Sequence, residues 1–260
     1  MKKTFFLWLC IAAAFLASGQ GKTLYKVNFV KPKAGMRSTF ETNWKAHLAK
    51  FHKTDDKRTV YEVMSGPNSG TYHIVEGPIS YADMDVERPN GKEHGMDLEK
   101  TFSPYLEPNS MNATYRHDDT ASFNGGVKAE KFLVTVTHVK LGMISETIRE
   151  SRRGSLINAK LNKANNIPLR FSVNVYTQIW SGSNPVRVSI RGLKDGFKEL
   201  EADYYGPNPM ANQPNAFRDA YIKDYGYDAW DARAKVMDNN ANVESREVFI
   251  MKLRKDLSSE

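Results

Sequence analysis

Residues 25–30 read Tyr-Lys-Val-Asn-Phe-Val, and residues 132–137 read Phe-Leu-Val-Thr-Val-Thr. In both stretches apolar side chains occupy every second position, which is the period of a strand with one buried face. Each stretch is followed by a Gly-Met pair, and Gly35 and Gly142 lie 107 residues apart. The chain therefore carries one pattern twice, and this repeat decides the predicted fold.

The elements after the Gly-Met pair agree between the copies as well. Apolar residues recur every three or four positions from Met36, which predicts a helix with one apolar face. A second strand then ends in Ser-Gly and a third ends in Gly77 or Gly192, which indicates a hairpin. Tyr61 and Tyr176 match at a separation of 115 residues. The second helix should therefore be about two turns longer, or broken near Gly154.

Each copy is completed by a further helix and a last strand. The predicted strands are 25–30, 59–64, 71–75 and 113–122 in the first copy, and 132–137, 172–180, 186–191 and 246–253 in the second. The predicted additional helices are 94–105 and 215–236. The resulting order, strand–helix–strand–strand–helix–strand, is the ferredoxin-like motif.

This element order resembles the dimeric α/β-barrel superfamily in a fused, tandem form. The predicted fold is α+β, with two tandem ferredoxin-like βαββαβ repeats whose antiparallel sheets pack as a pseudo-dimeric α/β barrel. The repeats are assigned to residues 22–123 and 130–256. Each sheet leaves one face bare, and burying these faces against each other within one chain predicts a monomer.

A secretion signal precedes the repeats, at residues 1–19. Lys2 and Lys3 are followed by an apolar run at 5–16 and by the small residues Ala17-Ser18-Gly19. This layout predicts cleavage after Gly19 and a secreted, periplasmic protein without a membrane span. The single cysteine, Cys10, lies in the signal and lacks the small residue that precedes a lipoprotein cysteine, so no disulfide is expected in the mature chain.

The composition indicates a packed globular protein without a nucleic-acid partner. The apolar fraction is 40%, and the formal charge of +7 becomes +5 once Lys2 and Lys3 are removed. The basic residues are scattered among acidic ones. Even the densest cluster, Arg149, Arg152 and Arg153, is interrupted by Glu150 and is typical of a solvated helix face.

The strand faces predict where a ligand could bind. Tyr25, Val27 and Phe29, with their counterparts Phe132, Val134 and Val136, are expected beneath the helices, and Asn28, Thr135 and Thr137 inside the barrel. The predicted ligand-lining residues combine aromatic and polar groups, as small-molecule sites do: Tyr61, Tyr72, Asn174, Tyr176, Gln178, Trp180 and Arg187. Alternatively, these groups satisfy each other, or face solvent because the sheets do not close.

No motif in the chain predicts a catalytic centre, a cofactor or a metal site. The six histidines show no His-Glu-x-x-His spacing, and His47 and His52 are expected on different faces of the first helix. The acidic run Asp83, Asp85 and Glu87 lacks the glycine and terminal glutamate of a calcium loop. Asp119-Thr120-Ala121 matches a short acceptor motif for bacterial O-glycosylation.

Three functions stay open at this point. The first is a periplasmic protein that binds a small apolar or aromatic ligand between its sheets. The second follows from the resemblance, which implies relatives that are cofactor-free monooxygenases acting on polyphenols, or haem enzymes with a histidine beneath the sheet. The third is a structural or interaction protein. The fold alone does not select among them.

Overall fold

The computed structural model describes residues 21–259 apart from 54–55, 109, 124–127, 168–171, 183–184, 207–209 and 239–240. The predicted signal peptide at 1–19 lies outside the described residues, so cleavage and export stay predictions. Among the helices that are described, none has the length and apolar character needed to cross a membrane.

Eight antiparallel strands form a closed barrel, which confirms the α+β class and the predicted barrel. Around the ring the order is β1-β3-β2-β8-β5-β7-β6-β4. The first four strands follow the order β4-β1-β3-β2 and the last four the order β8-β5-β7-β6, and the two groups join edge to edge at β2–β8 and β4–β6. The strands are β1 (Leu24–Val30), β2 (Arg58–Val63), β3 (Tyr72–Ile79), β4 (Met111–His117), β5 (Lys131–Val139), β6 (Ser172–Ile179), β7 (Val186–Leu193) and β8 (Val243–Leu253).

Helices cover the outside of the barrel. They are α1 (Arg37–Phe51), α2 (Tyr81–Met84), α3 (Gly91–Thr101), α4 (Ile144–Ala164), α5 (Ala216–Tyr225) and α6 (Tyr227–Arg233). Helix α4 has 21 residues against 15 in α1 and runs on through Gly154, so the longer of the two predicted forms is confirmed. The helix predicted at 215–236 is instead divided at Gly226, whose φ of 87° favours glycine and ends α5.

Helix α1 packs on the outer face of the first strands. Phe40 and Trp44 meet Val60 and Tyr72 in one buried cluster. The Trp44 indole donates a hydrogen bond of 2.7 Å to the carbonyl oxygen of Leu257, so the C-terminal turn closes over the same cluster. The apolar face that the helical period predicts is therefore the face that holds α1 on the barrel.

A charged network flanks this cluster. One nitrogen of Arg254 lies 2.8 Å from Glu41 on α1 and 2.8 Å from Glu62 on β2. Glu62 also receives a hydrogen bond from Arg37, and the Tyr72 hydroxyl donates to Glu41 at 2.5 Å. The hydrogen bond from Arg254 holds the pKa of Glu41 at about 2. The network joins α1, β2, β3 and the C-terminal turn.

The second half buries a carboxylate beneath its helices. Glu150 on α4 is fully buried and accepts hydrogen bonds from the Tyr221 hydroxyl on α5 and from Arg153 at 3.1 Å. The Arg149 guanidinium adds a third contact at 2.9 Å. Buried carboxylates are retained when their oxygens are satisfied in this way. The basic cluster of the sequence thus serves α4–α5 packing in addition to facing water.

The predicted assignment of strand faces is wrong for β1 and β5. The ring of Tyr25 contacts that of Tyr176 over the intervening strand β4, and Phe132 contacts Tyr61 over β8. Phe132 and Val136 pack with Val134 in the cluster inside the barrel, so the alternating apolar residues of both strands point inward. Asn28, Thr135 and Thr137 have the opposite phase and lie on the helix-covered side. The error has a physical cause: both faces of these strands are buried, and alternation alone does not tell which face the helices cover.

Candidate ligand-binding site

Aromatic side chains from both halves line the interior of the barrel. Tyr25 on β1 meets Tyr176 on β6 edge to face at 5.3 Å between ring centroids. Tyr61 on β2 meets Phe132 on β5 in the same manner at 5.4 Å. Tyr115 on β4 pairs with Tyr25 in the strand register and lies on the same face. Residues far apart in sequence thus form one aromatic lining.

The lining packs against the buried core of the barrel and stays partly accessible to solvent. Tyr25, Tyr61, Tyr115 and Tyr176 each retain partial solvent exposure although they point into a closed barrel. None of their hydroxyls has a hydrogen-bond partner within the described ranges. A fully buried hydroxyl oxygen without a partner would be an unsatisfied buried atom. In those ranges none of these four oxygens is fully buried in this way, so some solvent reaches them. Accessible aromatic surface with unpaired hydroxyl groups is the character of a small-molecule site.

The electrostatics of the lining keep the tyrosines protonated. Burial raises the pKa of Tyr115 to about 12, and burial together with the neighbouring phenols Tyr25 and Tyr61 raises the pKa of Tyr176. Burial and Tyr25 likewise raise the pKa of Tyr61. The phenols are therefore neutral hydrogen-bond donors at physiological pH.

Two histidines contact aromatic rings of the interior. The His73 ring lies 4.6 Å from Phe29 and 6.0 Å from Phe249, and burial lowers its pKa to about 4. His117 lies 5.0 Å from the ring of Tyr176. Its Nδ1 is 2.7 Å from the Asp119 carboxylate, and its Nε2 is 3.0 Å from the Ser122 hydroxyl. His117 is thus an oriented imidazole beside the aromatic lining.

The predicted ligand-lining residues divide into two groups. Tyr61 and Tyr176 lie in the interior, and strand alternation places Asn174 and Gln178 on the same face as Tyr176. Their role in binding stays a prediction. The sequence does not predict the inward positions of Tyr25 and Tyr115. The predicted inner and outer faces of β1 are the reverse of the observed ones, and β4 is poor in apolar residues.

Three of the predicted lining residues lie elsewhere. Tyr72 faces α1, where its hydroxyl donates to Glu41. Arg187 faces α4 and donates to the Ser151 hydroxyl at 3.1 Å. Trp180 follows β6 and is 71% exposed. Tyr72 and Arg187 occupy the outer face of their strands, opposite to the interior. The sequence does not predict this position, because the mixed phase of the third strands does not distinguish the two sides.

A second group of side chains converges outside the barrel, between α1 and α3. The Nε2 atoms of His47, His52 and His94 lie 3.2 Å from one another. The expectation that His47 and His52 occupy different faces of one helix is wrong, because α1 ends at Phe51 and His52 turns back as its C-terminal cap. Burial lowers the pKa of His47 and, with nearby positive charges, that of His94 to about 4.

The described residues do not fit a haem. Beneath the strands of the first half, the histidines are His47, His52 and His94, and each Nε2 has another imidazole nitrogen 3.2 Å away, where a macrocycle would have to lie. Beneath the strands of the second half the described ranges contain no histidine, since His138 shares the inward phase of Val134 and Val136.

Comparisons with known proteins identify the fold. Chlorite dismutase from Candidatus Nitrospira defluvii, in complex with imidazole, superimposes with a TM-score of 0.50 at 6% identity, over 91% of this chain and 93% of that chain. A candidate monooxygenase from Lactobacillus acidophilus has a TM-score of 0.48 at 11% identity, over 91% of this chain and 96% of the other. An anthrone oxidase-like protein has a TM-score of 0.47 at 12% identity, over 90% of this chain and 92% of that chain. The likeness concerns the fold, which is similar to the dimeric α/β-barrel fold.

Comparison by sequence adds nothing to this result. No protein-family model matches the chain, and no curated protein matches it. At the identities of the solved structures the likeness concerns the fold, which hosts many unrelated activities.

Proposed function

We propose that the chain binds a small aromatic or apolar molecule inside the barrel. The observation that carries this proposal is the lining of Tyr25, Tyr61, Tyr115 and Tyr176, whose rings are partly exposed and whose hydroxyls lack partners within the described ranges. The rings would stack on the ligand, and the neutral hydroxyls would donate to one or two acceptor atoms. A planar phenol or quinone has this chemistry.

A thermal-shift screen with phenols, naphthols and quinones tests the proposal. At least one such probe is expected to raise the melting temperature of the wild type, because a ligand that binds only the folded chain stabilises it. The double variant Tyr61→Phe/Tyr176→Phe keeps both rings and loses two donors. We expect it to bind the same probe roughly 10-fold more weakly, because each lost hydroxyl removes one hydrogen bond of about 0.5–1.5 kcal/mol.

Tyr227→Phe is the matched control, since this tyrosine is 70% exposed on the outer layer. Its affinity for the probe should equal that of the wild type. The proposal fails when no probe stabilises the wild type, or when the double variant binds as tightly as the control.

A second candidate function is a cofactor-free monooxygenase-like enzyme, favoured by His117. The imidazole lies beside Tyr176 with its Nδ1 held by Asp119, and its Nε2 would accept a proton from a bound phenol once the phenol hydroxyl replaces the Ser122 hydroxyl as its partner. If the chain is such an enzyme, it turns over phenolic substrates in the presence of oxygen. His117→Gln should then lower turnover at least 100-fold. Unchanged turnover in that variant would exclude this role for His117, and His138→Gln is the control.

The cellular setting and organisation belong to the same proposal. We infer that residues 1–19 are removed as a signal peptide and that the mature chain works in the periplasm as a monomer of two fused repeats. Support comes from the layout of the first residues and from a barrel that closes within one chain. N-terminal sequencing of protein from the periplasmic fraction checks the cleavage, and a mature chain that begins at Met1 would contradict it.

A further inference from the structure

We propose that His47, His52 and His94 bind one divalent first-row transition cation, Zn²⁺ by preference, on the outer layer of the barrel between α1 and α3. These three residues form the group of potential ligands that the described part of the chain brings together. The site is separate from the barrel interior and does not depend on the function proposed above.

The distances between the nitrogen atoms match a metal site. The three Nε2 atoms form a triangle with sides of 3.2 Å. Zinc binds imidazole nitrogen at about 2.0–2.1 Å in a tetrahedron, which places two ligand nitrogens about 3.3 Å apart. A cation at that distance from all three atoms would lie about 0.9 Å out of the plane of the triangle. The site therefore needs almost no rearrangement to bind the ion.

Hydrogen bonds among the imidazoles do not explain the triangle. Nδ1 of His47 lies 2.7 Å from the Asp97 carboxylate, and Nδ1 of His52 lies 2.9 Å from the carbonyl oxygen of Asp56. Both partners only accept, so in the neutral rings both Nδ1 atoms carry the proton and both Nε2 atoms carry a lone pair. These lone pairs face each other at 3.2 Å. His94 can donate a proton to one of them, whereas a cation satisfies all three.

The groups around the triangle hold its ligands in place. Asp97 and Asp56 fix the tautomer and orientation of the two buried rings, as carboxylates behind metal-binding histidines do. Asp56 is itself held by Arg58 at 2.5 Å and Arg88 at 3.0 Å. The rings of Trp44, Phe51 and Phe102 surround the His47 ring at 4.9–5.5 Å between centroids. This aromatic shell excludes water from one side and strengthens binding of the cation.

The opposite side of the site is open. His47 and His52 are each 2% exposed, whereas His94 is only partly buried. Within the described ranges the ligand group has three members. Three protein ligands and one position open to water are the pattern of zinc sites that bind or activate a fourth, exchangeable ligand. In our proposal a water molecule occupies the fourth position.

Metal titration of the purified chain tests the inference. After treatment with a chelator, the wild type is expected to take up one Zn²⁺ per chain, measured by elemental analysis after dialysis, with a higher melting temperature. Co²⁺ should give the visible absorption bands of a tetrahedral site. His94→Gln removes the partly exposed ligand with little risk to folding, and should weaken Zn²⁺ binding at least 100-fold. Asp97→Asn keeps the ligands and should weaken it 10–100-fold.

The control is His138→Gln, a partly exposed histidine on β5 whose nearest carboxylate oxygen, on Glu247, is 4.0 Å away. Its Zn²⁺ affinity should equal that of the wild type. The inference is overturned when the wild type takes up less than one equivalent, or when His94→Gln binds Zn²⁺ as tightly as the control. Binding of aromatic probes in the barrel should be the same in His94→Gln and wild type, so failure of one proposal is distinguishable from failure of the other.

Discussion

Replacing Phe40 with alanine is expected to lower the free energy of unfolding by about 3–5 kcal/mol. Phe40 is 1% exposed and packs between Tyr72 at 5.1 Å and Phe102 at 5.9 Å. It thereby joins α1 to the barrel and to the turn after α3. The cavity that alanine leaves cannot collapse easily, because the barrel strands beneath it are fixed by hydrogen bonds on both sides.

Urea denaturation measures this loss, with Thr42→Ala as control. Thr42 is exposed on the same helix, so its variant should change stability by less than about 0.5 kcal/mol. A loss below 1 kcal/mol in Phe40→Ala would contradict the packing described here. His47 lies on α1 and His52 caps its C-terminal end, so if the proposed metal site exists, the Phe40 variant should also bind Zn²⁺ more weakly.

Replacing Arg254 with alanine is expected to cost about 3 kcal/mol at neutral pH. Its guanidinium is 13% exposed and bridges Glu41, Glu62 and Asp256, which are left with fewer partners when it is removed. Arg37 still contacts Glu41 and Glu62, so the loss should fall at the lower end of the range for broken buried pairs. Arg218→Ala, which removes an exposed pair with the adjacent Asp219, is the control.

The pH dependence of the same variant gives a second readout. Arg254 holds the pKa of Glu41 and of Asp256 at about 2, below their usual values. A lowered carboxyl pKa stabilises the folded chain above the unfolded pKa, and this stability is lost as the pH falls through the folded pKa. The difference between wild type and Arg254→Ala should therefore shrink as the pH falls from about 5 toward 2. A difference that is constant over this window would show that packing, not charge, causes the loss.

The sequence predicts the α+β class and the barrel well because its strand and helix periods are regular. The period of two in residues 25–30 and 132–137 and the helical period from Met36 define elements that the structure confirms. The direction of each face is harder to predict, because β1 and β5 are buried on both sides. Tyr61 and Tyr176 point into the barrel, whereas Tyr72 and Arg187 lie beneath the helices, and the binding role of Tyr61 and Tyr176 stays a prediction.

No sequence motif predicts the histidine cluster. His47 lies on α1, His52 just beyond its end, and His94 on α3, 42 residues later. No spacing rule connects the three, since the turn of the chain at His52 depends on its Nδ1 contact with Asp56. The one local signal is the pair of histidines five residues apart at a helix end, which becomes informative only when another histidine is known to pack against it.

The closed order of strands has a consequence for how the molecule assembles. A four-stranded half alone would end in two unpaired edge strands, β2 and β4 in the first half or β6 and β8 in the second. Each edge strand would expose backbone N–H and C=O groups to pairing with another strand. Because both halves belong to one polypeptide, each edge strand stays near the strand with which it pairs, at the high effective concentration that a covalent link provides. Closure of the barrel within one chain therefore requires no second copy of the protein, and we expect it to proceed equally well at low and at high protein concentration.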